Sequence, residues 1–235
     1  SFDHWPSILI ITLYTLTYFF IDDLSKYIVH RCMHRWQFLW AFHKVHHSAE
    51  TMTPITVYRV HPLESIIYGL RGSFVIGAVI GIFAYCFGIN NFSLATLLGV
   101  NLFSFIFNVA GANLRHSHIE IAYWPWLEKI FISPAQHQLH HSIENKHFNK
   151  NYGAMLAVWD WLFGSLHFSE TGKKIRFGLR PDEASATNII HIYLKPFIEV
   201  SNIFKSTYKK LLSLMGLNPL RLKIKNDPFR SHKLK

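Results

Sequence analysis

Sulfur chemistry is almost missing from this chain. Its two cysteines, Cys32 and Cys86, form no CxxC pair. They supply neither a disulfide framework nor a ligand set for an iron–sulfur cluster, and they leave the redox compartment unread. Charge is scarce too. Asp, Glu, Lys and Arg make up 16% of the residues, against roughly 25% in an ordinary soluble domain. The chain has no GxGxxG turn to seat a dinucleotide. No basic start with a small-residue cleavage site marks a signal peptide, and no repeat of solenoid length recurs. The first residue is Ser rather than Met, so this reading leaves room for a further span ahead of it.

Apolar and aromatic residues fill the gap. Half the chain is hydrophobic, with 20 Phe, 10 Tyr and 7 Trp, and the net charge is +10. A basic balance suits either nucleic acid or the anionic face of a bilayer. The length of the apolar runs decides for the membrane and against nucleic acid. Residues 7–21 form an apolar run closed by Asp22 and Asp23; fifteen residues are short for a crossing that needs about 20, and the run reads as the visible end of a span. Residues 72–89 and 92–112 carry no charge, and Asn90 and Asn91 sit between them as a tight turn. This pattern predicts an all-α, multi-pass membrane protein built on a transmembrane helical hairpin, with glycines such as Gly77 and Gly81 allowing close helix contact. Residues 1–168 read as the membrane domain. Residues 169–235 read as a basic, partly amphipathic tail along the anionic membrane surface.

A hairpin returns the chain to the side it left. Its flanks carry Arg31, Arg35, Lys44, Arg59, Arg71, Arg115 and Lys129, and its tip is uncharged. The excess of positive charge on one side predicts cytoplasmic flanks and a cytoplasmic C-terminus. On those flanks lie the histidines. His30 and His34 are four apart. "HKVHH" places His43 three and four residues before His46 and His47, and "HQLHH" repeats the spacing with His137, His140 and His141. Residues three and four apart share a helix face, so each motif can aim two or three imidazoles at one place. Neutral imidazole binds Fe, Zn, Cu and Ni. Eight such groups exceed what one ion accepts, which predicts two metals. The motifs contain no carboxylate, unlike the Glu-x-x-His pattern of bundle di-iron sites. Asp23, two turns before His30 on the same face, is a candidate acceptor behind a ligand imidazole. His167, His191 and His232 lie outside the motifs, with no partner at ligand spacing along the sequence. A histidine-only, redox-capable pair at a membrane suits activation of O₂ against a lipid C–H bond, while zinc hydrolysis fits on ligand type alone.

The run "DLSKYIVHRCMHRWQFLWAFHKVHHS", then "RVHP", "HSHI", "SPAQHQLHHS" and "NYG…WDWLFGSLH", resembles the fatty acid hydroxylase/sterol desaturase superfamily of histidine-box di-iron membrane enzymes over roughly residues 20–168. The resemblance implies a cytosol-facing helical cap over the spans, two iron ions, and O₂ as co-substrate. Carried over by position, it implies three boxes of ligands. His30 and His34 fill the first, His43, His46 and His47 the second, and His137, His140 and His141 the third. His116 matches a further ligand between them, with His118 and His61 as additional candidates. Trp159, Asp160 and Phe163 match a closing motif, read as packing around the third box. The expected reaction is hydroxylation of a membrane lipid (fatty acyl, sphingoid or sterol-like), or desaturation at the same site. Electrons would come from a separate donor of reductase, ferredoxin or cytochrome type. A bis-histidine haem carrier is disfavoured because residues 72–112 contain no histidine. A metal transporter is disfavoured because Asn101 and Asn108 are the only strongly polar candidates inside the spans 72–89 and 92–112.

Overall fold

The computed structural model describes residues 5–88, 105, 113–180, 183 and 188–217. Of the expected hairpin, residues 72–88 are described. The turn at Asn90 and Asn91 and the run 92–112 lie outside the described residues, apart from Phe105, as does the tail beyond 217.

The protein is all-α, and among the described residues β pairing is limited to two isolated bridges. Helix α1, Ser7–Arg35, starts after Pro6 and runs 29 residues. The acidic pair does not end the apolar run. Asp22 is paired with Lys26 at 2.8 Å and Arg71 at 2.7 Å, and Asp23 is satisfied by amides elsewhere in the fold, so the helix continues through both. At 1.5 Å per residue α1 is about 43 Å long, more than a hydrocarbon core of about 30 Å. The fifteen-residue run is thus part of a helix long enough to cross. Trp36 breaks it with an extended conformation, and α2, Gln37–His47, follows at once.

Helix α3, Pro62–Phe87, is capped by the His61 side chain, has Pro62 in its first turn and stops at Gly88, whose φ of 81° favours glycine. It packs antiparallel to α1. Ile10 and Tyr14 at the start of α1 meet Val75, Val79 and Phe83 towards the end of α3, and Arg71 reaches back to Asp22. The histidine end of α1 therefore lies beside the start of α3. The outer faces of the pair stay bare, with Leu70 67%, Phe74 78% and Tyr85 89% exposed. Apolar side chains exposed along two membrane-length helices fit a bilayer better than the interior of a soluble protein.

The cap is assembled from short pieces. A 3₁₀ turn at Pro54–Tyr58 and one helical turn at Asn113–Arg115 precede α4, Pro134–His140, which opens with a Ser133/Gln136 capping box. Helix α5 spans Val158–Leu162. The long α6, Ile189–Leu214, packs on α2 through Phe42 against Phe197 and through the Lys44–Glu199 ion pair. The tail's helical part is thus docked on the second box.

Candidate metal centre

Nine imidazoles gather where α1, α2 and α4 meet. Their donor atoms form two groups, each lying within 4.8 Å of one another: His30, His34, His43, His47 and His140 in one, and His46, His116, His137 and His141 in the other. The division cuts across the boxes. In each motif the pair four residues apart serves one group, as in His30/His34, His43/His47 and His137/His141. The third histidine of each HxxHH motif, His46 or His140, crosses to the other group. The groups abut, with the rings of His47 and His141 stacked at 4.3 Å.

Ring nitrogens show how each imidazole is set. The Nδ1 of His30 donates to the Tyr152 carbonyl at 2.8 Å, that of His140 to the Lys150 carbonyl at 2.8 Å, and that of His46 to the Arg59 carbonyl at 3.3 Å. A carbonyl can only accept, so the proton sits on Nδ1 and the Nε2 lone pair faces inward. The buried Nε2 atoms of His47 and His140, Nδ1 of His137, and both nitrogens of His141 have no hydrogen-bond partner. Nε2 of His116 stands 3.1 Å from Nε2 of His46 and 2.9 Å from that of His137. Nε2 atoms of His34 and His43 are 3.1 Å apart. Ligands about 2.1 Å from one ion and at right angles to each other are separated by about 3.0 Å. Orphaned buried nitrogens at that spacing fit a metal ion in each group. Burial holds His140 down to about 3, and it holds His46, His47, His137 and His141 well below the usual imidazole value. They are therefore neutral, the form that binds metal.

The carboxylate behind the imidazoles is Glu64. Its Oε1 accepts from Nδ1 of His43 at 2.9 Å, and both groups are buried. Asp23 does not play that part. It accepts from the Met155 and Leu156 amides and from Nε1 of Trp159, at 3.0, 3.1 and 2.9 Å. Seven residues along a helix is about 10 Å, too far to reach the His30 ring. Asp23 instead holds the segment that follows "NYG". The closing motif works on the same segment. Asp160 accepts from the amides of Tyr152 and Gly153, and Phe163 stacks on Tyr27. Burial raises the Asp160 carboxyl to about 6. Through Lys150 and Tyr152 this loop orients His140 and His30. We expect Glu64→Leu to weaken metal binding by about 10–100-fold, measured by competition with a chelator. An unchanged affinity would contradict this role.

Two further candidates fall outside both groups. His118 is exposed. His61 is buried, but Nδ1 accepts from the Leu63 amide and Nε2 faces the Tyr193 carbonyl at 3.0 Å, so it caps α3 and pins α6. His167 is not partnerless: its donor atom lies within 4.8 Å of those of His147 and Glu170. Sequence spacing missed Glu64 because His43 lies 21 residues away, and it missed the trio because His147 is distant from His167 and Glu170, which are themselves three apart. The presence of Glu64 in the first turn of an apolar helix was the one local sign.

Two recesses reach the imidazoles. One, lined by Trp40, Phe148, Leu179, Arg180 and Glu183, touches His34, His47, His140 and His141. The other, lined by Val57, Val60, Ser65, Tyr68 and Arg115, touches His30, His43, His46, His116 and His137 and runs beside the start of α3.

A histidine-clustered, all-α protein with two helices able to cross a bilayer is the class that this fold and site define. The chain belongs to the fatty acid hydroxylase family, whose model matches residues 15–165. It is 27% identical to ornithine lipid hydroxylase OlsE of Rhizobium tropici, over 70% of this chain and 44% of that protein. It is 31% identical to a putative methylsterol monooxygenase of Dictyostelium discoideum, over 68% of this chain and 53% of that protein. It is 28% identical to alkylglycerol monooxygenase of Homo sapiens, over 67% of this chain and 31% of that protein. The chain thus spans about half or less of the length of these relatives. No solved structure matches it.

Proposed function

We propose that the chain hydroxylates a C–H bond of a membrane lipid, using O₂ at two iron ions held by the nine imidazoles. The observation that carries this reading is the pair of abutting imidazole groups at the end of two membrane-length helices. The names of the relatives, all acting on lipids, support the substrate class. Bound iron would supply the activation of O₂ that an unactivated C–H bond requires.

The chain's own residues do the rest. His30, His34, His43, His47 and His140 hold one ion and His46, His116, His137 and His141 the other. The Lys150 and Tyr152 carbonyls and Glu64 fix the Nδ1 protons, so the ligand lone pairs cannot swing away. The recess beside Tyr68, Val57 and Val60 admits the lipid, since it adjoins the helix whose apolar face meets the bilayer. Electrons arrive from a separate donor protein of reductase, ferredoxin or cytochrome type, docking on the basic face. Comparing lipid extracts by mass spectrometry with and without the gene tests the reaction. A gain of about 16 mass units in one lipid class is expected. A loss of about two would make the enzyme a desaturase, and no change in any lipid would overturn the reading.

The site faces the cytoplasm in this proposal. Arg71, Lys44 and Arg115, counted as flanking charge in the sequence, are largely buried; Arg71 and Lys44 form ion pairs. Arg35, Arg59 and Lys129 remain exposed to support the orientation. Single cysteines at positions 90 and 145 should label from opposite sides. Labelling from one side would reject the hairpin.

A further inference from the structure

A second cluster of potential ligands lies outside the imidazole groups. His147 closes the 3₁₀ turn Asn145–His147, and His167 and Glu170 lie beyond α5. His147 is 2% exposed, and neither of its ring nitrogens has a hydrogen-bond partner. Its Nε2 faces Oε1 of Glu170 at 3.5 Å, and Nε2 of His167 lies 3.1 Å from the same oxygen. The two rings are 5.3 Å apart. Tetrahedral ligands about 2.05 Å from one ion are separated by about 3.3 Å, the spacing seen here. A buried imidazole whose Nδ1 has no partner and whose Nε2 has only a long 3.5 Å contact is costly, and a cation between these three atoms would satisfy Nε2.

We propose that His147, His167 and Glu170 form a third metal site, for a divalent ion of the zinc class, separate from the pair. Two imidazoles and one carboxylate are a donor set zinc accepts, with water in the fourth position. Lys146 and Lys173 surround Glu170, but both bind its other oxygen, Oε2, at 2.6 and 2.9 Å, and leave Oε1 to the imidazoles. Their positive charges weaken the site without occupying it. They also hold the carboxyl well below its usual range, so it is ionised.

The position gives the ion a purpose. The backbone of His167 is tied to the cap: its carbonyl accepts from Nε2 of Gln136 and Nδ2 of Asn151, and its amide donates to Oδ1 of Asn151. Gln136 precedes a box histidine, and Asn151 precedes Tyr152, whose carbonyl orients His30. An ion joining His147 to His167 closes the loop 147–167 into a ring around these contacts. It acts as a clip on the box-three side of the cap, and it takes no part in the reaction.

The test is a metal count on the purified full chain after equilibration with zinc. Wild type should hold one zinc-class equivalent more than His167→Ala, with the remaining metal unchanged. Glu170→Gln, which keeps the shape and removes the charge, should weaken that same equivalent. Cobalt(II) added to wild type should give the visible absorption of a low-coordinate nitrogen–oxygen site, lost in both variants. If His167→Ala fails to fold, Glu170→Gln alone decides. Equal zinc and equal cobalt absorption in wild type and Glu170→Gln would overturn the proposal, whatever the outcome of the lipid assay.

Discussion

His116→Ala should insert in the membrane, lose one metal equivalent and lose turnover entirely. Its Nε2 stands between those of His46 and His137 at 3.1 and 2.9 Å, the centre of a group with only four imidazoles. Taking one away leaves three donors and an open position next to buried nitrogens. The other group has five donors, so a single loss there should leave more residual metal. His140→Ala should therefore keep more metal than His116→Ala while still losing turnover. Replacing His137, His140 and His141 together takes two of the second group's four donors and one of the first group's five, so it should empty the second and weaken the first. His118→Ala should be silent, because that side chain is exposed and outside either group. Metal analysis beside product formation checks the series. Two ions bound normally after the triple replacement would refute the shared centre.

Gly153→Ala should damage the protein from a position that touches no ion. A Cβ there would stand 2.5 Å from the Leu156 carbonyl oxygen, 2.8 Å from Cγ1 of Ile132 and 3.0 Å from Oδ2 of Asp160. The nearest of these is backbone, which cannot rotate aside. The Gly153 amide also donates to Asp160 at 2.7 Å, so retreat in the other direction breaks that bond. Overpacking of this kind costs about 1–3 kcal/mol, and a backbone clash puts it at the upper end. The displaced loop carries the Tyr152 carbonyl away from His30. A clear fall in the thermal midpoint of the detergent-solubilised protein is expected, together with weaker metal retention. An unchanged midpoint would show that the loop has slack.

The histidines were legible because their spacing is local. Three and four residues on a helix put side chains on one face whatever the fold does, and a hairpin returns both flanks to one side. The crosswise sharing was not legible. It depends on how α2 and α4 turn against each other, and 90 intervening residues carry no sign of that rotation. Asp23 misled for the same reason in reverse. Its face was right, but its height along α1 was two turns short, and its true partners are 132 to 136 residues away. Glu64 escaped because its contact with His43 spans 21 residues, and the His147–His167–Glu170 cluster because only its His167–Glu170 part is local while His147 arrives from before α5. The length of α1 was misjudged at Asp22 and Asp23, where charges that usually end an apolar segment are neutralised by Lys26 and Arg71 or bound by amides.

The crosswise division also sets an order of events during synthesis. Residues up to His47 bring four of the first group's five imidazoles but only one of the second group's four. The rest of the second group waits for His116, His137 and His141. At about 5–20 residues per second, the ribosome needs several seconds more to supply them. The two imidazole groups therefore assemble in sequence: the first gains most of its members while the chain is still growing, and the second is complete only after both box-bearing segments have met. A chain cut short before residue 116 would emerge with four of the first group's imidazoles and a single member of the second.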